Sequence, residues 1–469
     1  MGTKDSKALV ATLGAVVLAV TVMQSGIVPI LASVRTQLGV SVADSSWVVT
    51  ANLLAAAAAV PLIGRLADVF NKKTVLLGTL AVVLAGSVLG AVASSLPMLV
   101  FARALQGTSY ALYPIAVSIL RRELPSDLLI RRIATLSAML GGGAALGLVA
   151  TGSVMSAGAG YQRVFWVHAA LSLAVLLMAS VVVPSRAQRI AAHVDWVGAA
   201  GLALGLSGVL LAVSKGSTWG WVSPQTVFSA LAGIAILTMW VKWTRRSADP
   251  LVSLETLKRR PVLLANGAAF LTGMGSYISF LGLSHFVEVP SSRGFGFNAN
   301  VTEVSLMFLL PGAVLGTVTA VMAGRAIERF GARAVVAAGG VAGVLGFGVL
   351  AFVPTHRWEV VVAGMLTNAF LSLSYGALPA MIISDVGPGE TAVATSLNGT
   401  FSKVAGATAA AVVGAVLTPV GGGHPVESGF ITVFVLGVAA AGTVILLASL
   451  GRVRVPRVIP MPRLAAARA

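Results

Sequence analysis

The chain has 469 residues, of which 57% are apolar and only 10% charged, with no cysteine and a formal net charge of +17. Soluble domains carry about 25% charged residues, so a soluble fold is excluded, and the missing cysteines exclude disulfides and thiolate metal sites. A transmembrane β-barrel is excluded too, because its strands would alternate in polarity over about 10 residues, whereas the apolar stretches here are continuous.

A helix needs about 20 apolar residues to cross a bilayer. Runs between charged or Gly/Pro-rich breaks predict fourteen helices, at 8–34, 45–63, 75–95, 98–120, 133–156, 164–183, 196–214, 224–243, 261–287, 301–323, 334–353, 359–383, 392–418 and 429–449. The first run is longer than a signal-peptide core and has no convincing cleavage site, so it counts as a span. The chain reads as an all-α polytopic membrane protein.

The 32 basic residues are distributed asymmetrically. With the N-terminus inside, outer segments hold only Arg35, Arg163, Lys215, Arg293 and Arg357, while Arg103 and Lys403 lie within spans. All others fall on cytoplasmic segments. This positive-inside bias places both termini in the cytoplasm and requires an even number of spans. It assigns the charge to the membrane surface rather than to nucleic acid. All eight tryptophans, Trp47, Trp166, Trp196, Trp219, Trp221, Trp240, Trp243 and Trp358, fall at or near predicted helix ends, where an amphipathic ring sits best.

Between the second and third runs the chain reads GRLADVFNKKTVLLG, from Gly64 to Gly78. A related stretch, GRAIERFGARAVV, starts at Gly324. Gly64 and Gly324 are 260 positions apart, as are Asp68 and Glu328. Matching positions of this kind indicate an internal repeat of six helices. The expected domains are an N-terminal six-helix bundle over 1–190, two inserted helices within 191–260, a C-terminal six-helix bundle over 261–451 and a basic cytoplasmic tail over 452–469. In the first copy, Gly64 is expected to let the chain leave a helix tightly. Asp68 is expected near the start of the next helix, whose free N–H groups favour a carboxylate. Asn71, standing where the second copy has Gly331, is expected to take the left-handed conformation that glycine supplies. Lys72 and Lys73 would stay near lipid phosphates. The candidate cytoplasmic gate is therefore Gly64, Arg65, Asp68, Lys72 and Lys73 with Gly324, Glu328, Arg329 and Arg333. The plainer alternative is that these are positive-inside charges and nothing more.

These residues resemble the loop signature of the major facilitator superfamily, G-x-L-x-D-r-x-G-r-[RK]. Gly64, Leu66, Asp68, Lys72 and Lys73 match it; Val69 and Asn71 depart, and Arg329 and Gly331 restore both positions in the second copy. A second family signature, R-x-x-Q-G in the fourth helix, appears as Arg103-Ala-Leu-Gln106-Gly107. Fourteen spans are similar to the drug:proton antiporter branch, which carries two added helices. The antiporter signature of the fifth helix, G-x-x-x-G-P-x-x-G-G, is only partly present. Gly143, Gly147 and Gly152 allow close helix packing, but Leu148 replaces the proline. The first helix reads Thr21-Val-Met-Gln24-Ser25-Gly26, without the aspartate common in that branch.

Lys403 lies about twelve residues into the thirteenth helix, or about 18 Å at 1.5 Å per residue. That is too deep for easy snorkelling, and a charge there faces a cavity or a partner. Related transporters often carry an Arg-Gln pair here, in place of Ser402 and Lys403. With Lys403, the polar residues Gln24, Asn52, Asn266, Tyr277, Asn368, Tyr375 and Asn398 suggest a lightly polar substrate cavity between the halves. Any one of them alone could be interhelical glue. Coupling candidates are Arg103, His285, Glu288 and Asp44. Arg103 lies about one turn from the outer end of its helix, within reach of snorkelling. His285 and Glu288 are three apart and share a helical face; they could relay protons or be wet interfacial surface. Glu303 follows Asn300 by three, which fits a helix-capping pair. His168 reads as structural.

The resemblance implies a proton-coupled secondary exporter of drug- or lipid-like amphiphiles working by alternating access. A cavity cation without an acidic partner favours neutral or anionic substrates. The alternative is an uncoupled facilitator or importer. A membrane-embedded lipid-modifying enzyme would need clustered His, Asp or Glu and is less favoured. A primary pump would need G-x-x-x-x-G-K-[ST], which the sequence lacks. The expected partners are a small amphiphilic substrate and the bilayer. No cofactor, metal or nucleic acid is expected, the driving force is a proton gradient, and the chain is expected to act as a monomer in the inner (plasma) membrane.

Overall fold

In hydrocarbon an apolar run satisfies its backbone hydrogen bonds internally only as a helix, and among the described residues every regular element is helical. A computed structural model describes residues 3–155, 159–185, 195–247, 250, 259–352, 354–383, 391–418 and 425–450. The basic tail lies outside them. Helix α1 spans Thr3–Ser25 and, after a 3-10 turn at Val28–Ile30, continues as Leu31–Leu38. Then come α2 (Val42–Val69), α3 (Lys72–Ala91) and α4, which is Leu96–Gly107 and Leu112–Glu123 joined by a 3-10 turn at Thr108–Ala111. Next are α5 (Ser126–Val154), α6 (Gln162–Val182), α7 (Trp196–Trp219) and α8 (Pro224–Thr244). Helix α9 is Arg260–Tyr277, a π turn at Ile278–Gly282, and Leu283–Glu288. Helix α10 is Val301–Glu303, a π turn at Val304–Leu309, and Leu310–Phe330. The last four are α11 (Ala332–Ala351), α12 (Arg357–Ile383), α13 (Thr391–Leu417) and α14 (Glu427–Leu450). Twelve of these are long and apolar enough to cross a membrane. The broken α4 and the glycine-rich α5 complete the fourteen.

The packing is duplicated. Helix α1 packs on α5 and α6, α2 on α4, and α3 on α4 and α6. The same pairs recur eight helices later: α9 on α13 and α14, α10 on α12, α11 on α12 and α14. Between the two bundles run two seams, α2 against α13 and α5 against α10. Exchanging the bundles converts one seam into the other, so the halves are related by a pseudo-twofold axis. The junctions α2–α3 and α10–α11 thus occupy equivalent places on the face where α1 begins and α14 ends.

The helix ends at these junctions differ from expectation. Helix α2 continues past Gly64 to Val69, and α10 continues past Gly324 to Phe330. Arg65, Asp68, Glu328 and Arg329 therefore lie in final helical turns, not in loops, and Asp68 is at a helix C-terminus rather than near an N-terminus. An interior glycine costs a helix about 1 kcal/mol relative to alanine, too little to end it. A Cβ at Gly64 or Gly324 would meet nothing within 4 Å. The actual stops are Phe70, extended at φ −105° and ψ 172°, and Gly331, at φ 83°. Asn71 is not left-handed. At φ −58° and ψ 120° it caps α3, accepting from Lys73 N at 3.0 Å and donating to Ser185 Oγ at 2.8 Å. One junction turns on a glycine, the other on a capping side chain.

Inserted helices α7 and α8 pack face to face. A Cβ on Gly208 would lie 2.9 Å from Gly233 Cα, and Gly205 and Gly201 face Leu237 and Trp240. Asp195 caps α7 through Gly198 N at 2.7 Å and accepts from Trp243 Nε1 of α8 at 2.9 Å. Helix α7 also packs on both α2 and α13, so the pair covers one seam from the lipid side. Phe228, Leu231 and Met239 of α8 face outward. Lys215 of α7 donates to Asp44 of α2. Both side chains are about one-quarter exposed, and pairs of that kind contribute about 0.2–1 kcal/mol. A double-mutant cycle of Asp44→Asn and Lys215→Met, followed by thermal unfolding in detergent, should give a coupling energy no larger than about 1 kcal/mol. A larger value would make the strap a principal element of stability.

Candidate functional site

Five polar side chains meet at mid-depth where α4, α9, α12 and α13 converge. Tyr110 comes from the 3-10 turn of α4. Tyr277 is the last residue of α9 before its π turn. Lys403 Nζ lies 4.0 Å from the centre of the Tyr110 ring, within cation–π range. The Tyr110 and Tyr277 hydroxyls are 3.2 Å apart, and Tyr375 and Ser402 share a hydrogen bond at 2.8 Å. A Cβ at Gly406 would be 2.6 Å from Tyr277 Cδ2, so the glycine lets that ring lie against α13. Among the described residues, no carboxylate pairs with Lys403. The cluster spans both bundles and offers one cation, three phenols and a hydroxyl.

The structure brings only part of the expected cavity set together. Tyr277, Tyr375 and Lys403 are in the cluster. Asn52 instead donates to Arg103 C=O at 2.9 Å, joining α2 to α4, and Asn398 donates to Ala265 C=O at 3.3 Å, joining α13 to α9. Asn368 is bonded to Gly364 C=O of its own helix at 3.0 Å. Asn266 is buried with neither amide atom bonded among the described residues, and Gln24 is half-buried. Tyr110 was not expected here. Its signal was present, because the chain has only five tyrosines and this one lies inside a span.

Arg103 does not snorkel. It is 3% exposed and donates through Nε to Val48 C=O at 3.1 Å and through Nη1 to Gln106 Oε1 at 2.6 Å. Gln106 Nε2 passes the chain on to Ser87 Oγ at 2.9 Å. The R-x-x-Q-G residues therefore tie α4 to α2 and α3. On α5, a Cβ at Gly143 would be 2.9 Å from Leu18 C=O and one at Gly147 would be 2.6 Å from Val22 C=O, both on α1, while Gly152 faces Leu306 of α10.

His285 and Glu288 are not wet surface. Their side chains are 2% and 8% exposed, and Arg35 of the other bundle reaches both. Its Nη2 donates to Glu288 Oε2 at 2.9 Å and its Nη1 to His285 Nδ1 at 2.9 Å. Ser284 Oγ donates to the remaining Glu288 oxygen at 3.2 Å. Sequence spacing shows two members of this triad; the third is 253 positions away from Glu288. The bundles also meet on this face through Ala43 N to Thr418 Oγ1 at 2.9 Å and Thr302 Oγ1 to Gly152 C=O at 2.8 Å. Nearby, Asn300 and Glu303 form a full capping box, and Arg357 donates to Glu303 at 2.9 Å.

On the terminal face Arg325, Glu328 and Arg329 are exposed, and Arg65, Lys73 and Arg333 are half-buried. Lys72 Nζ donates to Ala67 C=O at 3.1 Å, closing the end of α2. The Asp68 side chain lies outside the described residues. A mainly apolar cleft of about 710 Å³ opens beside this junction, lined by Leu66, Phe70, Val75 and Val82 among others.

Two duplicated six-helix bundles, with a polar cluster at mid-depth between them, define a multi-pass helical membrane protein with a polar site between its halves. Residues 13–314 match the family model of the Major Facilitator Superfamily. The chain is 30% identical over 448 residues to the cephamycin export protein CmcT of Amycolatopsis lactamdurans, covering 92% of this chain and 90% of that one. An MFS-type transporter of Mycobacterium tuberculosis is 28% identical over 314 residues, but the match spans only 44% of its length. Among solved structures, the peptide transporter POT in complex with alafosfalin matches with a TM-score of 0.69 at 15% identity, covering 94% of each chain. The chain belongs to the major facilitator superfamily.

Proposed function

We propose that this protein exports neutral or anionic amphiphilic small molecules in exchange for protons, by alternating access between the two bundles. One observation carries the substrate class: Lys403 stands at mid-depth against Tyr110, and no described carboxylate neutralises it. An unpaired cation at that depth is expensive unless a cavity or a ligand compensates it. The export direction is supported by the relative named a cephamycin export protein. The bundles occupy 1–190 and 261–451, 191–260 is the inserted strap, and the monomer sits in the plasma membrane with both termini and the basic tail in the cytoplasm. Arg35, Ala43 and Thr302 tie the bundles at the outer face, while Arg325, Glu328 and Arg329 are open to solvent at the inner one. The outer ties support reading the conformation as inward-facing. Gly64, Arg65, Asp68, Lys72 and Lys73, with Gly324, Glu328, Arg329 and Arg333, would form the inner gate when the bundles rock the other way.

The test is counterflow and pH-jump transport in proteoliposomes, with matched amphiphiles carrying a carboxylate, no charge or an ammonium. The carboxylate and neutral compounds should move, with proton flux in the opposite direction. Movement insensitive to the proton gradient would replace coupled export by facilitation. Preference for the ammonium compound would overturn the role given to Lys403.

A further inference from the structure

We propose that His285 and Glu288 form the proton-binding site of the transport cycle, and that Arg35 competes with the proton for it. This deepens the proton-coupled reading above and rests on it. A guanidinium has only donors. The Arg35 contact at 2.9 Å therefore fixes His285 Nδ1 as an acceptor, with the ring neutral and its hydrogen on Nε2. That Nε2 is buried and unpartnered among the described residues. The same guanidinium holds Glu288 Oε2, which lies 3.4 Å from Nδ1. One arginine thus occupies two acceptors that face each other.

A proton arriving at Nδ1 reverses the roles. Nδ1–H becomes a donor to Glu288 Oε2, already within reach, and Arg35 loses one acceptor and must share the other. The buried group changes from one cation and one anion to two cations and one anion. Its cheapest relief is withdrawal of Arg35, whose side chain is already 20% exposed. Among the described residues, only Arg35 and the pair itself act electrostatically on His285 and Glu288. The intervening Phe286 packs against Phe430 and Phe434, so the segment that carries both residues is held in an apolar, buried setting. Arg35 belongs to the N-terminal bundle and the acceptors to the C-terminal one. Proton binding and bundle contact at the outer face are therefore mutually exclusive, and by linkage each weakens the other. A proton taken up outside holds the outer face open, and Arg35 re-closes it only once Nδ1 has given the proton up; exchange requires that release to run inward along α9 toward Tyr277 rather than back to the outer solution. The π turn at Ile278–Gly282, a type of irregularity common at functional sites, lies between this triad and Tyr277 of the mid-depth cluster.

The chain has no cysteine, so spin labels can be placed freely on the full protein in lipid nanodiscs. Thr36→Cys and Ser292→Cys put labels at exposed positions beside Arg35 and Glu288. In this background, distance measurements by electron–electron resonance should show a longer separation gaining population between pH 8 and pH 5. The gain is at most about tenfold per pH unit, the limit for one proton. His285→Gln and Glu288→Gln should each lose the pH response, and Arg35→Gln should be long at both values. A wild-type background without the shift, or both glutamine variants retaining it, overturns the proposal. A second label pair on the inner face separates this from failure of the transporter reading. If that pair moves with added amphiphile while the outer pair ignores pH, the proton site falls and transport stands. If neither pair moves under any condition, both fall.

Discussion

Lys403→Met is expected to weaken the apparent affinity for an anionic amphiphile by about 10- to 100-fold, with a neutral analogue changed only a few-fold. A hydrogen bond to a charged group is worth about 1.5–3 kcal/mol, and each 1.4 kcal/mol is tenfold in affinity. Methionine nearly preserves the length of the side chain and packs favourably against an aromatic ring, so the Tyr110 face stays covered. The cation–π contact, worth about 0.5–2 kcal/mol, is lost in the substrate-free protein as well. That loss removes a competitor for the ring and partly offsets the penalty. The change should therefore appear in KM for the anion more than in the maximal rate, because the interaction is present in the bound ground state. Uptake into inverted vesicles over a concentration series measures both. Equal KM values for the anion in the two proteins would remove Lys403 from the substrate site.

The fourteen helices were legible because continuous apolar runs of membrane-spanning length leave the backbone no alternative. The duplication was legible from two glycines and two acids at one offset, and the packing repeats it pair by pair. Helix ends at the same loci were not legible. Charged residues leaving the bilayer look like a loop in sequence, yet Arg, Lys and Glu are good helix formers, so α2 and α10 run on. Depth alone permits Arg103 to snorkel, whereas its acceptors are Gln106, three residues on in its own helix, and Val48, which only the packing of α2 on α4 supplies. The triad was half legible. Spacing of three puts His285 and Glu288 on one face, but nothing in that spacing announces an arginine from the opposite bundle. Depth marks Lys403 in the sequence, whereas Tyr110 carries the same signal as Tyr277 and Tyr375, a phenol inside a span, and joins the cluster only through its contacts with Lys403 and Tyr277.

Arg103→Met is expected to destabilise the protein by about 2 kcal/mol without altering the charge preference of transport. The arginine makes two charge-assisted bonds inside the N-terminal bundle. Only the bond to Val48 is interhelical, Gln106 lying on α4 itself; interhelical hydrogen bonds in membrane proteins average about 0.6 kcal/mol and reach about 1.7, so one at the upper end sets the scale. Removing the buried cation also removes its desolvation cost, which limits the loss. What remains is Gln106, whose Oε1 no longer has a donor while its Nε2 still serves Ser87. The double variant Arg103→Met with Gln106→Leu removes that orphan. It should be no less stable than the sum of the single effects, and more stable by about 0.5–1 kcal/mol if the orphan dominates. Arg103→Lys keeps the charge but not the fork that reaches Val48 and Gln106 together, so it should restore only part of the stability. Reversible unfolding in mixed micelles measures the wild type, the three single variants Arg103→Met, Gln106→Leu and Arg103→Lys, and the double variant. If Arg103→Met retains full stability but loses proton-driven transport while passive counterflow persists, Arg103 belongs to the coupling machinery and the structural tie described for it is wrong.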